Sequence, residues 1–394
     1  MTRASIDFAR EHVLDDTARL LLSASRYPGV DMPAAVQQIE GLRMAREKWP
    51  SLLEHDGYLY PPRLNREQAS SEATARYKAS LLPPGGRMAD LTGGMGVDTL
   101  AFAEAAGHVD YVERDPMLCT LMEHNLEALG IDNVDVHCTD SMEWLTTLPS
   151  PLSALYIDPA RRGAAGRRVS AFEDCTPNLL DALPLLRSRC SLLMVKASPM
   201  IDIHHAVEQL GTVSAVHIVA VHGECKEVLF LCGKSCDDLT VNCMELERTD
   251  GSNPRSLFSF TYGDERAATA QYSASVGRYL YAPHAALRKA GCFRLLGQRF
   301  GLPLLGPNTH LYTSPTLVTG FPGRTFEVLK QVAPDRKAIK QEIPDGKAHV
   351  VVRNFPAEAD ALQRQLGLRE GGDLFLIATT LASRRTVLLC RLTG

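Results

Sequence analysis

The chain has 394 residues, 45% hydrophobic and 22% charged, with a formal net charge of -4. That length predicts two to four domains at roughly 100 to 200 residues each, and the composition excludes a disordered or collagen-like chain. No uninterrupted apolar run reaches the roughly 18 residues of a membrane span, and Met1 to Glu11 holds acids without an apolar stretch. The expectation is a cytoplasmic protein with no membrane partner.

Residues 1–62 read as a helical region. Apolar residues recur at helical spacing through Arg10 to Leu22, and again from Ala34 to Lys48 behind Pro33. Pro61-Pro62 breaks the pattern, and a new helix is predicted to open in Asn65 to Ala75, where several residues could cap it.

From residue 87 short apolar runs alternate with helical stretches. Strands are expected at Arg87 to Leu91, Val109 to Val112, Val134 to Cys138, Ala154 to Ile157, Leu192 to Val195, Ser214 to Val221 and Glu227 to Cys232. Repeated strand-helix units imply a mostly parallel sheet with helices on both faces. Only His222 to Lys226 separates the last two strands, too short for a parallel crossover, so the final strand should run antiparallel.

The first strand leads into Asp90-Leu91-Thr92-Gly93-Gly94-Met95-Gly96. A sharp strand-to-helix turn points backbone N–H groups into a cleft, and glycine lets a ligand approach that backbone. A phosphate-binding loop needs Lys followed by Ser or Thr, whereas Val97-Asp98 follows here. Asp90 would repel a pyrophosphate and suits the ammonium of a methionine group. The pattern therefore favours S-adenosylmethionine, with Asp90, Thr92, Gly94 and Gly96 at its methionine end.

About 20 residues on, the second strand ends at Glu113, where a carboxylate can accept hydrogen bonds from ribose hydroxyls. The third strand ends near Asp140, placed to accept from an adenine amine. Three acids at three successive strand ends carry more weight than one glycine loop.

The fourth strand delivers Tyr156-Ile157-Asp158-Pro159-Ala160-Arg161-Arg162-Gly163. A carboxylate and backbone carbonyls at such a turn can hold an exocyclic amine with its lone pair facing a methyl sulfonium, where positioning supplies much of the rate. Arg161, Arg162, Arg167 and Arg168 cluster around Gly163 to Gly166, either a grip for a polyanion or a solvated charge cluster. Lys196 ends the next strand, as a contact to substrate or as a solvated edge residue. Cys225, Cys232, Cys236 and Cys243 lack the two-residue spacing of zinc knuckles, and no metal is expected.

Leu239 to Glu247 and Leu257 to Tyr262 read as short strands of a small extra segment around Asp250 to Pro254. From Ala285 to Gly394, 16 basic residues face 8 acidic ones, while the rest of the chain carries 26 against 38. A basic end on an acidic body is what a binder of phosphate backbones would show. There a helix at Ala285 to Leu287, strands at Ala348 to Val352 and Leu374 to Ala378, and a helix from Ala357 to Leu366 make a second α/β domain.

Residues 66–232 resemble the class I methyltransferases, whose sheet is Rossmann-like. The resemblance assigns the loop matching Asp90 to Gly96 to the methionine part, Glu113 to ribose and Asp140 to adenine; Thr92 replaces the first loop glycine. Asp158-Pro159-Ala160-Arg161 is similar to the Asp/Asn-Pro-Pro-aromatic motif of enzymes that methylate base amino groups, without its second proline and aromatic. It also resembles the Asp-Pro-Pro-Arg-x-Gly motif of uridine C5 methyltransferases, but those need a cysteine nucleophile, and Val195-Lys196-Ala197-Ser198-Pro199 has none.

As a whole the chain resembles a bacterial group with a helical N-terminal region (1–62), a class I core (63–236), a small ferredoxin-like segment (237–284) and a C-terminal THUMP-like domain (285–394). That resemblance implies an RNA partner, ribosomal or transfer RNA, held by the last domain. Asp158, Pro159 and Arg161 are the expected acceptor-site residues. The rival expectations are methylation of a small molecule or protein, and an inactive RNA-binding protein.

Overall fold

The computed structural model describes residues 1–161, 172, 175–176, 178–233, 238–246, 254–381 and 384–393. It divides into two compact units, Met1–Leu239 with Met244–Ser256, and Thr240–Cys243 with Leu257–Gly394. Among the described residues no helix is long and apolar enough to cross a membrane.

The first unit begins with helices Arg3–Glu11, Thr17–Leu22 and Met32–Lys48. The single helical run expected over Arg10 to Leu22 is broken because Asp16 starts a new helix, its carboxylate accepting from the N–H groups of Ala18 and Arg19. Within Asn65 to Ala75, where a new helix is expected to open, the short helix Arg63–Gln68 ends and Glu72–Ser80 begins, with Ser71 as its cap accepting from Thr74 N–H at 3.3 Å. Ile39, Trp49 and Tyr60 share one buried cluster with Met88, Phe102 and Tyr111. Residues 1–62 thus have no separate core.

The large sheet consists of β1 (Arg87–Asp90), β2 (His108–Glu113), β3 (Val134–Cys138), β4 (Leu152–Ile157), β7 (Cys190–Ala197), β8 (Val213–Val221), β9 (Glu224–Cys232), β10 (Thr240–Leu246) and β11 (Arg255–Thr261); β5 (Ala160–Arg161) and β6 (Cys175–Thr176) form a separate short pair. Its order is β11-β10-β8-β9-β7-β4-β1-β2-β3. β1, β2, β3, β4 and β7 pair in parallel, and β9 runs antiparallel between β7 and β8. This is the expected mostly parallel sheet with an antiparallel final strand. His222 (φ 51) and Gly223 (φ 75) close the β8–β9 hairpin in two residues, tighter than predicted, because consecutive positive φ values suit a hairpin turn. Leu155, Tyr156 and Ile157 on β4 and Leu193, Met194 and Val195 on β7 are buried on both faces, as parallel central strands require.

Strands β10 and β11, expected within a separate small segment, instead extend one edge of the large sheet. The turn predicted at Asp250 to Asn253 lies outside the described residues.

The second unit holds β12 (Tyr279–Pro283), β13 (Tyr312–Ser314), β14 (Gly323–Val332), β15 (His349–Arg353), β16 (Leu374–Leu381) and β17 (Arg384–Leu392), ordered β13-β12-β14-β17-β16-β15. β15 and β16 are parallel; the other pairs are antiparallel. Alternate residues feed opposite faces. Ile377 and Leu388 join Leu280 and Phe326 in one cluster, while Leu376, Val387 and Leu389 join Ile339 and Leu362 in the other.

Candidate cofactor and acceptor site

The loop after β1 is fixed from its own sequence outward. Gly94 (φ 54) and Gly96 (φ 83) take left-handed backbone that side chains disfavour. A Cβ on Gly93 would lie 2.2 Å from the Tyr111 ring, and one on Gly96 would lie 2.5 Å from Met122 Sδ. Tyr111 in turn donates its hydroxyl to Gly94 O at 2.8 Å. Gly96 begins the helix Val97–Ala105, so the loop opens at a helix N-terminus.

Asp90 is expected at the methionine end of the cofactor. It is buried, with Oδ1 accepting from Thr92 N–H at 3.0 Å and Oδ2 from the Thr99 hydroxyl at 2.7 Å. Burial pushes its carboxyl up to about 7, against the Thr99 bond that favours the charged form. These two bonds tie Asp90 to its own loop and to the following helix.

Backbone bonds tie the other strand ends to this loop. Gly93 N–H donates to Val112 O at 3.1 Å, Leu91 N–H to Tyr156 O at 3.0 Å, and Thr139 N–H to Glu113 O at 3.0 Å. Glu113 Oε2 accepts from Gly94 N–H at 3.0 Å, and Oε1 accepts from Arg114 and Asp115 N–H groups. Thr92 Oγ1 accepts from Asp158 N–H at 2.8 Å. Thr92, Gly94, Glu113 and Asp158 are therefore brought together. Asp140 stands beside them, exposed, capping the helix Ser141–Thr147 through the N–H groups of Met142 and Glu143 with one carboxylate oxygen.

Pro159 is buried. The backbone of Arg161 pairs with Cys175 in the short β5–β6 ladder. Arg162, Arg167 and Arg168 lie outside the described residues.

Beyond Asp158 lies a charge network that sequence reading did not assemble. Lys196 Nζ is 2.5 Å from Asp158 Oδ2. Burial opposes charge on Lys196, but Asp158, Glu227 and Asp98 outweigh it and hold the ammonium more strongly protonated than usual. Fully buried Lys78 meets Asp98 at 3.0 Å, Glu227 at 3.0 Å and the Ser70 hydroxyl at 2.9 Å. The Ser70 and Tyr156 hydroxyls both donate to Asp98 Oδ2. Burial raises Asp98, yet Lys78 and Lys196 prevail and its carboxyl stays below the usual range; Glu227, where burial prevails, is raised. Lys78 and Glu227 are 149 residues apart, so no local pattern marks the pair.

A cleft of about 910 Å³ reaches this network at Ser70, Lys196 and Glu227. Arg43, Lys48, Arg63, Arg66, Lys196 and Lys226 line it together with five glutamates. Lys48 is brought down to about 8 by burial and then by Lys196. A second hollow of about 480 Å³, walled by Trp49, Leu52, Leu100, Ala101 and Leu129, touches none of the predicted site residues.

The donor set fits S-adenosylmethionine. Glycine backbone at a helix N-terminus leaves room for a close ligand, and Glu113 and Asp140 offer acceptors at successive strand ends. Among the described residues, His108, Asp110 and Asp135 come within 4.8 Å of one another. Arg87 already binds both oxygens of Asp110, at 2.7 and 2.8 Å, and so competes with any ion there.

A ferredoxin-like family model matches residues 279–322, and a THUMP domain-like model matches residues 323–392. The ferredoxin-like match overlaps the segment expected at 237–284 only over residues 279–284, the THUMP-like match lies within the expected 285–394, and β10 and β11 precede both. A crystal structure from Porphyromonas gingivalis W83, described as a candidate methyltransferase, is similar over 99% of this chain and 98% of that one, with 32% identity and a TM-score of 0.86. Two uncharacterized S-adenosylmethionine-dependent methyltransferases of Mycobacterium tuberculosis, from strains CDC 1551 / Oshkosh and ATCC 25618 / H37Rv, are each 28% identical over 337 residues, covering 82% of this chain and 87% of theirs. Together with the glycine loop and acidic strand ends, these likenesses make the chain a member of the S-adenosylmethionine-dependent methyltransferases, carrying a THUMP-like C-terminal domain.

Proposed function

We propose that this enzyme methylates a nitrogen, exocyclic or in the ring, of an RNA base, with its C-terminal domain holding the RNA. The observation that carries this reading is the Asp158–Lys196 pair, hydrogen-bonded through the Asp158 backbone to the cofactor loop and bordering a cleft lined by six basic side chains. S-adenosylmethionine supplies the electrophilic methyl group.

The remaining work falls to side chains of this chain. Thr92 and Gly94 seat the methionine end, Glu113 accepts from the ribose hydroxyls, and Asp140 uses its second oxygen for the adenine amine. Asp158 accepts an N–H of the acceptor and aims its lone pair, while the Pro159 turn fixes where the base nitrogen stands. Lys196 steadies the Asp158 carboxylate at this position. Arg161, three residues after Asp158 in sequence, is assigned to the acceptor's phosphate. The six basic side chains of the cleft, which also holds five glutamates, offer counter-charges that a polyanionic substrate can use and a small neutral one does not need.

The test is calorimetric titration with S-adenosylmethionine, combined with transfer of labelled methyl to total RNA. Glu113→Gln should weaken cofactor binding about tenfold or more. Asp158→Asn should leave that binding within about threefold and cut methyl transfer at least about a hundredfold, as expected for a group that acts through positioning. Normal cofactor binding with label entering a protein or metabolite fraction, and none entering RNA, would overturn the RNA reading while leaving the cofactor roles.

A further inference from the structure

The second unit gathers three arginines from separate elements. Arg288 lies in the helix Ala285–Ala290, Arg324 near the start of β14, and Arg353 at the end of β15. The Nε atoms of Arg288 and Arg353 are buried and meet no hydrogen-bond acceptor among the described residues. Buried polar hydrogens are nearly always satisfied, and a guanidinium most of all, so two such atoms in one cluster point to an acceptor that arrives from outside.

Among the described residues no carboxylate offsets these charges. Among the described residues none of the three arginines is ion-paired. Burial, then Arg288 and Arg324, bring Arg353 down to about 10; burial and Arg324 lower Arg288. His310 is lowered by burial, then by Arg353 and Arg288, which keeps it uncharged at neutral pH and able to accept or donate a hydrogen bond. This is unrelieved positive potential in a half-buried place.

Ring faces border it. The Arg324 guanidinium stands 5.6 Å from the Phe326 centroid and 5.8 Å from that of Phe375. His310, in left-handed backbone at φ 52, stacks flat on Phe293 at 3.8 Å and 4°. Convergent guanidinium forks match the oxygens of phosphate better than a single carboxylate; Phe326 is fully buried and Phe293 carries His310 on it, which leaves the part-exposed His310 and Phe375 to meet a base.

We infer that Arg288, Arg324 and Arg353, with His310, form a phosphate-binding site of the second unit that grips a phosphate of single-stranded RNA. The site combines residues from both matched family segments, 279–322 and 323–392, and neither segment alone contains it. It rests on the RNA reading above only for the source of the phosphate.

The test uses the full chain and two probes, inorganic pyrophosphate by calorimetry and a fluorescent twelve-nucleotide oligouridine by anisotropy over a salt series. Arg288→Met and Arg353→Met should each weaken both probes about tenfold or more. Each should also flatten the slope of log affinity against log salt by about 0.7. Hydrogen-exchange protection of β16 and β17 must match wild type, and where Arg353→Met lowers it, Arg353→Lys replaces that variant and should bind between wild type and Arg288→Met. Unchanged affinities and slopes in folded variants, or binding of neither probe by wild type, would overturn the site. Pyrophosphate bound through the arginines with no binding of oligouridine keeps the phosphate site and removes the RNA reading. Oligouridine bound equally by wild type and variants does the opposite.

Discussion

Replacing Lys78 by Met removes the centre of the buried charge network while keeping its aliphatic volume. The ammonium is fully buried and touches Asp98, Glu227 and Ser70, all within 3.2 Å. Without it two nearly buried carboxylates share Lys196 alone, and breaking a buried pair by deleting one partner costs about 3–5 kcal/mol. Both tryptophans, Trp49 and Trp144, lie in the first unit, so fluorescence during urea unfolding reports that unit by itself. At a urea dependence of about 2–3 kcal/mol per molar, the midpoint at pH 7 should fall by about 1–2 M. The pH dependence follows from sign: loss of the cation raises the folded-state pKa values of Asp98 and Glu227, so the variant binds more protons when folded. The deficit should therefore shrink as pH drops from 7 to 5. Adding Glu227→Gln should restore part of the loss, since it removes the stranded charge. A Lys78→Met midpoint within about 0.3 M of wild type, or a further loss on adding Glu227→Gln, would refute the network's energetic role.

Two further outcomes test the cofactor loop. Gly93→Ala places a Cβ 2.2 Å from the Tyr111 ring, and overpacking of that kind costs about 1–3 kcal/mol; calorimetry should show S-adenosylmethionine affinity falling with it, because Tyr111 also anchors Gly94. Asp90, with its folded pKa raised to about 7, contributes stability that is present in acid and lost as pH rises through neutrality. The wild-type urea midpoint should thus decline between pH 6 and 8 more steeply than that of Asp90→Asn, and parallel curves would show that Asp90 stays charged.

The class of the fold was legible because it is written in local order. Apolar runs of strand length alternate with helical spacing, and the short link after Val221 forces an antiparallel hairpin. The glycine turn after the first strand was legible for the same reason: turn, glycines and helix start are contiguous. Reading failed where a neighbour in space decided the outcome. The burial of Asp90 and its bonds to Thr92 and Thr99 follow from the fold and are not written in the strand-end pattern. The helical run predicted over Arg10 to Leu22 is split because Asp16 binds the N–H groups ahead of it instead of continuing the run.

Sequence by itself determined the order of strands and helices, the glycine turn and the acids at strand ends, all set by chain neighbours and periodicity. Tertiary structure alone decided that Lys78 meets Glu227 and that Lys196 holds Asp158. It also decided that Arg288, Arg324 and Arg353 gather near His310. The physical reason is that charges act over distances in space, and a folded chain sets those distances through strand order and side-chain reach, which residue spacing does not encode.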